Sequence, residues 1–276
     1  MMTPHISDLI IYPIKSLKGI HLSTVDVTNR GLANDRRWML VDENGTFISQ
    51  RKHPSLALLK QEIKGNEIHI SHSQTGEELL DFSMEEPNTT PFEVTVWDDS
   101  CLAKPVSEAA DTFFSDYLKM PVRLCYMHED SNRQADQHYA VSEADQVSFA
   151  DGYPILIISE ESLDLLNSKV NEPLSMNRFR PNIVLKGLAP HEEDTLKEIV
   201  INGLTLHGVK PCARCVLTTV NPETAEKGKE PLKTLATYRK TGSKILFGEN
   251  FIPASAGQLK VGYAVEVKER KEAAIQ

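Results

Sequence analysis

The sequence has no long apolar run and no leader-like segment. Its longest apolar stretch, YPILIIS at residues 153–159, is far shorter than the roughly 20 residues that a transmembrane helix needs. The N-terminus has neither a basic segment followed by an apolar one nor the arginine-rich pattern of a transit peptide. These absences argue against a membrane protein and a secreted protein, and we expect a cytoplasmic location without membrane association.

Positive charge is in the minority, since 30 Lys and Arg residues stand against 39 Asp and Glu residues, for a net charge of −9. Because affinity for a phosphate backbone needs a basic surface, we expect no nucleic acid partner. A single pair of basic residues is most simply a solvated surface, but several pairs next to turns predict a pocket for a small anion. The pairs are Lys15 and Lys18, Arg36 and Arg37, Arg178 and Arg180, and Lys210 and Arg214.

Cysteine is also scarce. Four cysteines in 276 residues, without a secretion signal, do not form a disulfide framework. Cys101 and Cys125 lie in strand-like or apolar segments, so we expect both to be small packed side chains. The other two, Cys212 and Cys215, lie three positions apart in the segment KPCARCVLTTV.

What the sequence does contain is an abundance of strand patterns. Short alternating segments dominate the first ninety residues, a pattern typical of a β-rich sheet or a partly closed barrel. Asn44-Gly45 between two apolar stretches predicts a β-hairpin, because both residues accept positive φ. We predict an α+β fold, mostly β, with a β-rich domain at residues 1–120 and a mixed, mostly β domain at residues 121–276. Later strands are predicted for PNIVLKG, LKEIVING, CVLTTV and LKVGYAVEV.

Two helices are predicted. Apolar residues between positions 106 and 120 recur at helical spacing, and Pro121 ends that segment. A second helix is predicted to begin at Ser159, an N-cap residue followed by Glu160 and Glu161 in the first turn. Its buried stripe would consist of Leu163, Leu166 and Val170.

The cysteine pair leaves several interpretations open. A structural zinc site needs four ligands, and the sequence has no second C-x-x-C and a single nearby histidine, His207. A redox dithiol normally lies at the start of a helix, whereas this pair runs into VLTTV, which we predict as a strand. A single thiolate beside the cations of Lys210 and Arg214 would suit a transition metal carried by an anionic organic cofactor. An inert, half-buried pair is the remaining alternative.

Six segments of the chain resemble, in order, the MOSC family of molybdenum-cofactor proteins. The resemblance runs from about residue 6 to residue 267 and is strongest for the branch that contains the mitochondrial amidoxime reducing component and its bacterial counterparts. In that branch, a β-barrel N-terminal domain precedes the MOSC β-barrel domain, which has a few helices. The segments are YPIKSLKG, NDRRWMLVD, SFADGYPILIIS, MNRFRPNIVLKG, PCARCVLTTVNPETA and FGENF.

The resemblance implies that Cys215 alone anchors molybdenum and is the catalytic metal ligand, with Cys212 only a neighbour. Arginine and lysine suit the phosphate of a pterin cofactor, Gly152 would allow a close backbone approach, and Asn182 could pair with an amide edge of the pterin. Gly248 and Asn250 of FGENF either form a turn or shape the pocket floor. The cofactor-binding residues implied by the resemblance are Lys15, Ser16, Arg36, Asp151, Gly152, Tyr153, Arg180, Asn182, Ala213, Arg214 and Cys215.

The function implied by the resemblance is a molybdenum-molybdopterin-dependent oxidoreductase that reduces N-hydroxylated compounds such as amidoximes, hydroxylamines and N-hydroxylated bases. No cysteine follows Cys215, so we expect the electrons to come from a separate protein of a ferredoxin-, flavodoxin- or cytochrome-type system. The alternative is a carrier of the cofactor, or a sulfur relay in cofactor sulfuration. The complete sulfurase also needs a pyridoxal-phosphate-binding domain, for which we expect this chain to have no room.

Overall fold

The computed structural model describes residues 3–275 and confirms that the chain is mostly β. Within these residues, 19 strands follow one another along the chain. They are β1 His5–Ile11, β2 Ile20–Leu22, β3 Thr24–Thr28, β4 Gly31–Leu32, β5 Trp38–Val41, β6 Leu59–Lys64, β7 Glu67–His72, β8 Glu78–Ser83, β9 Phe92–Val96, β10 Asp99–Pro105, β11 Arg123–Met127, β12 Ile155–Ser159, β13 Ile183–Lys186, β14 Leu196–Ile201, β15 Leu204–Ala213, β16 Lys240–Thr241, β17 Lys244–Pro253, β18 Gly257–Lys260 and β19 Val265–Arg270.

Helices are short and few in the described part of the chain. The α-helices are α1 Glu108–Leu118, α2 Glu160–Asn167 and α3 Leu232–Leu235. The 3₁₀ helices span Pro54–Leu58, Met176–Arg178, Glu192–Thr195 and Val216–Thr219. Between residues 3 and 275, none of the helices has both the length and the apolar character needed to cross a membrane.

Four sheets organise the strands. The largest has nine strands in the order β19-β14-β15-β17-β12-β13-β1-β2, with β16 paired to β17. A four-stranded sheet has the order β5-β11-β10-β9, and two three-stranded sheets have the orders β18-β3-β4 and β6-β7-β8. Most pairs are antiparallel, and β12 and β13 run parallel with α2 in the connection between them.

Strand pairing joins the two halves of the chain. β1 pairs with β13 from His5↔Lys186 to Leu9↔Ile183, and β3 pairs with β18. β11, which follows Pro121, pairs with β5 of the first half. The domain division near Pro121 stays a prediction, because each half completes sheets of the other.

Two large apolar clusters form most of the core. One packs around Trp38 and Phe114, which are 1% and 0% exposed. The other packs around Ile157 and Phe251, both 0% exposed, and also contains residues of β1 and β3 from the first half. Cys101 and Cys125 are buried in a third cluster, as predicted, and the Cys125 thiol donates to the Met39 carbonyl.

Both predicted helices are confirmed, with shorter bounds. α1 begins after Ser107, whose hydroxyl accepts from the Ala110 amide, and ends because Lys119 takes the left-handed conformation before Pro121. Ser159 caps α2 as predicted, with Leu166 buried and Leu163 partly buried. Val170 packs against the same cluster but lies beyond the end of α2.

Two local predictions need correction. In the hairpin after β5, only Gly45 has positive φ, at 76°; the turn is instead closed by the Asp42 carboxylate, which accepts from the Asn44 and Thr46 amides. The segment after Cys215 is a 3₁₀ helix and not a strand. The hydroxyl of Thr218 donates back to the Cys215 carbonyl at 3.0 Å, and such local bonds compete with strand pairing.

Candidate functional site

The residues predicted to bind a cofactor lie around one cleft. The cleft has a cavity volume of about 140 Å³ and opens to solvent. Residues that are far apart in the sequence, such as Lys15 and Cys215, meet here. Their roles toward a cofactor stay a prediction. All eleven line the cleft: Lys15, Ser16, Arg36, Asp151, Gly152, Tyr153, Arg180, Asn182, Ala213, Arg214 and Cys215.

Loops between strands supply all of these residues except Ala213, which ends β15. In the turn after β1, the Leu17 amide donates to the Ile14 carbonyl at 3.2 Å. Ser16 in this turn, Arg36 between β4 and β5, and Arg180 before β13 have φ values of 79°, 49° and 57°. A left-handed conformation costs energy in a residue other than glycine, and such residues concentrate at ligand sites.

Tyr12, which we did not predict as a site residue, organises two of the arginines. The guanidinium carbons of Arg36 and Arg180 lie 4.2 Å and 4.1 Å from the centroid of its ring. Tyr12 is 1% exposed, and burial raises its pKa to about 12 against the opposing effect of the two arginines. The neutral phenol ring therefore holds two cations close together without neutralising them.

Arg36 is fixed by a carboxylate and an amide. Its Nη1 donates to Asp35 Oδ2 at 2.6 Å and to Asn182 Oδ1 at 3.1 Å. Asn182 Oδ1 also accepts from the Leu156 amide, while its Nδ2 donates to the Ile10 carbonyl. The expected pairing of Asn182 with a pterin edge stays a prediction. Its amide makes three hydrogen bonds within the protein, and one of these orients Arg36.

Two arginines that line the cleft keep buried donors without an acceptor. Arg180 Nη1 donates to the Leu17 carbonyl at 2.7 Å, whereas its Nη2 has no partner in the described structure. Arg214 Nη2 donates to the Phe179 carbonyl at 2.6 Å, and its Nε has none. Burial lowers the pKa of Arg180 to about 10, which still leaves it protonated at neutral pH. An unsatisfied buried donor costs about 1–3 kcal/mol, so these groups favour an anionic ligand.

Lys15 forms an ion pair on another wall of the cleft. Its Nζ donates to Asp151 Oδ1 at 2.6 Å and to the Phe149 carbonyl at 2.7 Å. Burial lowers the pKa of Lys15, and Asp151 counters this effect. Desolvation alone would raise the pKa of Asp151, but Lys15 outweighs it and holds that pKa below the ordinary value. Asp151 is therefore charged at neutral pH.

Arg133, another residue that the sequence analysis missed, supports the loop that carries Asp151. It is 2% exposed, and its guanidinium donates to the carbonyls of Ser148, Ala150 and Asp151 at 2.7, 2.5 and 3.0 Å. These contacts satisfy three carbonyls in a segment without strand pairing. The Arg133 contacts therefore hold the loop that carries Asp151 in a fixed position.

The two cysteines of the pair differ in their surroundings. Cys215 is exposed and lies just before the 3₁₀ helix Val216–Thr219. Cys212 is half-buried and lies near the end of strand β15. Burial raises the pKa of Cys212, and Arg214 Nη1, which donates to its sulfur at 2.9 Å, opposes that effect. Both cysteines line the cleft, and Cys215 is the more exposed of the two.

The positive charge predicted beside the sulfurs comes from Arg214 and not from Lys210. Lys210 Nζ instead lies 3.1 Å from Asp136 Oδ2 and 4.2 Å from the Tyr139 ring centroid. Among residues 3–275, no group of three or more His, Cys, Asp or Glu side chains is arranged to hold a metal ion. A metal at Cys215 would therefore draw its other ligands from a cofactor.

Gly152 and Tyr153 line the cleft without filling it. A Cβ at Gly152 would meet no protein atom within 4 Å, and its φ is not positive, so neither packing nor backbone conformation requires glycine. The Tyr153 hydroxyl donates to Asp136 Oδ2 at 3.1 Å, which leaves mainly its backbone for the cleft. The space in front of Gly152 is available to a ligand.

The segment FGENF lies within strand β17, and one of its residues reaches the cleft. Asn250 lines the cleft and donates from Nδ2 to the Lys210 carbonyl at 2.9 Å. Gly248 has φ 81°, and a Cβ there would lie 2.6 Å from Ile158 Cγ1, so this position requires glycine for close packing. The other lining residues that we did not predict are Phe47, Ser49, Arg51, Ala150, Leu156, Phe179, Cys212, Leu217 and Thr218.

Comparison with known proteins finds two matching domains. The MOSC N-terminal beta barrel domain matches residues 3–121, and the MOSC domain matches residues 144–266. Mitochondrial amidoxime-reducing component 1 from Homo sapiens is 32% identical, over 93% of this chain and 81% of that protein. The molybdenum cofactor sulfurase from Oryza sativa subsp. japonica is 28% identical, over 88% of this chain and 32% of that protein.

The YuaD protein from Bacillus subtilis, a solved structure, covers 96% of this chain and 94% of its own at 10% identity, and its TM-score of 0.41 is too low to support an argument. None of these matches supports a link to pyridoxal phosphate or tests the cytoplasmic location, which stays a prediction. The ordered domain matches and the identity to the human relative over most of both chains confirm the resemblance. This chain belongs to the MOSC family, with a MOSC N-terminal beta barrel domain followed by a MOSC domain.

Proposed function

We propose that the chain is a molybdenum-cofactor-dependent reductase of N-hydroxylated compounds. The observation that carries the proposal is the position of the exposed Cys215 sulfur in the same cleft as buried, unpartnered donors of Arg180 and Arg214. The amidoxime-reducing component from Homo sapiens, 32% identical over 81% of its length, supports the choice of substrate class.

The residues fit a molybdopterin cofactor in three respects. Arg36 and Arg180 converge on Tyr12 and offer cationic donors for a phosphate group. Gly152 leaves open space for a planar ring. Cys215 offers a soft sulfur ligand, and when bound, the cofactor would supply two-electron redox chemistry at molybdenum.

The overall reaction breaks an N–O bond. An amidoxime takes up two electrons and two protons and yields an amidine and one water molecule. We propose that the electrons come from a separate ferredoxin-, flavodoxin- or cytochrome-type system. In the cleft, Lys15 Nζ donates to Asp151 Oδ1, and Arg133 keeps the Asp151 loop in place while substrate binds.

The experiment is turnover of benzamidoxime by holo-protein with an artificial reductant, which needs no partner protein. We expect Cys215→Ser to abolish turnover, because it removes the proposed metal ligand. Cys212→Ser is the matched control: it changes a neighbouring thiol that faces Arg214, and we expect most activity to remain. Equal loss in the two variants would favour a dithiol, and no turnover by the wild-type holo-protein would contradict the proposal.

A second candidate function is a cofactor carrier or sulfur relay. It is favoured by the 28% identity to a molybdenum cofactor sulfurase and by the exposure of Cys215. In that case, mass spectrometry of the purified protein would detect a persulfide on Cys215, and N-hydroxylated compounds would not be reduced.

A further inference from the structure

An aromatic and cationic group lies at the edge of the cleft, next to Lys15 and Asp151, and was not among the residues predicted to bind the cofactor. We call Phe47, Arg51 and Trp97 the rim cluster. Phe47 and Arg51 line the cleft, and Trp97 packs on both. The Trp97 and Phe47 ring centroids are 5.1 Å apart, and the Arg51 guanidinium carbon lies 4.1 Å from the Trp97 centroid.

Trp97 occupies an unfavourable position for its residue type. It lies in the turn between β9 and β10 with φ 60°, a conformation that bulky residues rarely adopt, and it is 43% exposed. Its Nε1 donates to Asp151 Oδ1 at 3.2 Å, which fixes the ring against the cleft. Trp38, by contrast, is 1% exposed in the core. Strain and exposure at one aromatic residue beside a cleft are typical of a ligand-binding position.

Of the four arginines that line the cleft, Arg51 is the one whose guanidinium N–H groups make no hydrogen bond to the described residues. Arg36, Arg180 and Arg214 each donate to protein oxygen or sulfur atoms. The Arg51 guanidinium makes no hydrogen bond or ion pair with residues 3–275, and its contacts are with the faces of Trp97 and Phe47. All its N–H groups are therefore available to a bound molecule.

The rim cluster lies closer to solvent than Arg36 and Arg180, the arginines assigned to the cofactor. Arg36 and Arg180 stack on Tyr12, which is 1% exposed, so their site suits a group that stays bound. Arg51 stacks on Trp97, which is 43% exposed and accessible from solvent. A molecule that enters and leaves would meet the rim cluster first.

We propose that the rim cluster is a specificity site that selects planar, conjugated N-hydroxylated substrates, such as aryl amidoximes and N-hydroxylated bases, over aliphatic ones. The conjugated part of the substrate stacks on the exposed aromatic surface and the guanidinium plane, and Arg51 donates to an acceptor atom of the substrate. This inference rests on the reductase function proposed above. It names Phe47, Arg51 and Trp97 as substrate contacts.

The test compares benzamidoxime, which has an aromatic ring, with acetamidoxime, which has none, using holo-protein and an artificial reductant. We expect Trp97→Ala and Arg51→Gln each to lower the ratio of kcat/KM for benzamidoxime to that for acetamidoxime about tenfold, mainly through KM. Molybdenum content should match the wild type. Arg123→Gln and Leu102→Ala are matched controls: Arg123 stacks on Phe92, Leu102 is 45% exposed, and neither lines the cleft.

A binding measurement gives a second readout that is independent of turnover. Trp38 is buried, so benzamidoxime should change the fluorescence of Trp97 alone, and the change should disappear in Trp97→Phe. An unchanged substrate ratio in both variants would overturn the inference while leaving the reductase function intact. Loss of molybdenum in Arg51→Gln would also overturn it and assign Arg51 to the cofactor. Reduction of neither amidoxime by wild-type holo-protein would overturn the proposed function and this inference together.

Discussion

Arg180 and Arg214 each keep one buried nitrogen, Nη2 and Nε respectively, without a protein acceptor. Protein interiors rarely contain such groups, because each loses its bonds to water and gains nothing in return. A phosphate or another anionic group of a cofactor would supply the missing acceptors. At the scale of residues, the cleft is therefore built for a ligand that brings negative charge.

Gly152 provides a test of this interpretation. Its φ is not positive and a Cβ would meet no protein atom within 4 Å, so we expect Gly152→Ala to leave the melting temperature unchanged. The added methyl group would occupy space proposed for the cofactor, so molybdenum per chain should fall severalfold. Metal analysis and a thermal melt of the same preparation check both expectations.

Gly228→Ala is the matched control for that substitution. Its φ is also not positive, and a Cβ there would lie 3.7 Å from the Thr219 carbonyl oxygen, an ordinary contact away from the cleft. Equal molybdenum content in wild type, Gly152→Ala and Gly228→Ala would contradict a cofactor position next to Gly152.

The sequence predicted the charged residues of the cleft better than their contacts. The resemblance to the MOSC family identifies Arg36, Arg180 and Cys215 as cleft residues, because each lies in a local segment that carries the resemblance. It does not reveal that Tyr12 separates two guanidinium groups or that Asn182 is engaged by Arg36, since both facts depend on segments about 150 residues apart meeting in space.

At the scale of elements, a loop without strand pairing carries Asp151, Gly152 and Tyr153. Arg133 replaces the missing pairing with bonds to the carbonyls of Ser148, Ala150 and Asp151. An arginine in the polar segment SNRQADQ gives no sequence pattern for this role. Its support of the loop became evident only from the fold.

We expect Arg133→Leu to destabilise the protein by about 2–4 kcal/mol, because it leaves buried carbonyls without donors. The loop should also loosen, with a parallel loss of bound molybdenum. Chemical denaturation measures the first effect and metal analysis the second. Arg123→Leu, at a 51% exposed side chain, should change stability by no more than about 0.5 kcal/mol. Equal effects of the two substitutions would show that Arg133 does not brace the loop.

The segment after Cys215 shows where element prediction fails. β-branched residues in VLTTV favour a strand, but the hydroxyls of Thr218 and Thr219 donate to the carbonyls of Cys215 and Val216 and stabilise a 3₁₀ helix. Apolar segments predicted β1 and β13 correctly, because most of the side chains of these two strands pack into the core. In the segment after Cys215, hydrogen bonds from side chains to the local backbone override the strand preference of the β-branched residues.

At the scale of the whole molecule, the two halves of the chain share sheets. β1 and β3 belong to sheets completed by β13 and β18, and β11 completes the sheet that contains β5. The cleft takes Lys15 and Arg36 from the first half and Arg180 and Cys215 from the second. The proposed cofactor site is therefore built from both halves.

We expect a fragment of residues 1–120 not to fold alone. It lacks β11, β13 and β18, so β1, β3 and β5 would expose unpaired edges and the apolar residues beneath them. Circular dichroism should show no cooperative thermal transition for this fragment, whereas the full chain should show one. A cooperative transition in the isolated fragment would contradict the shared-sheet description.

The central claim is that one thiol, Cys215, holds molybdenum in this cleft. X-ray absorption at the molybdenum edge counts the sulfur atoms bound to the metal, and so tests the claim directly. We predict one sulfur neighbour fewer in Cys215→Ser than in the wild type and no change in Cys212→Ser. An unchanged sulfur count in Cys215→Ser would contradict this claim. So would a wild-type protein that contains no molybdenum after purification from cells that make the cofactor.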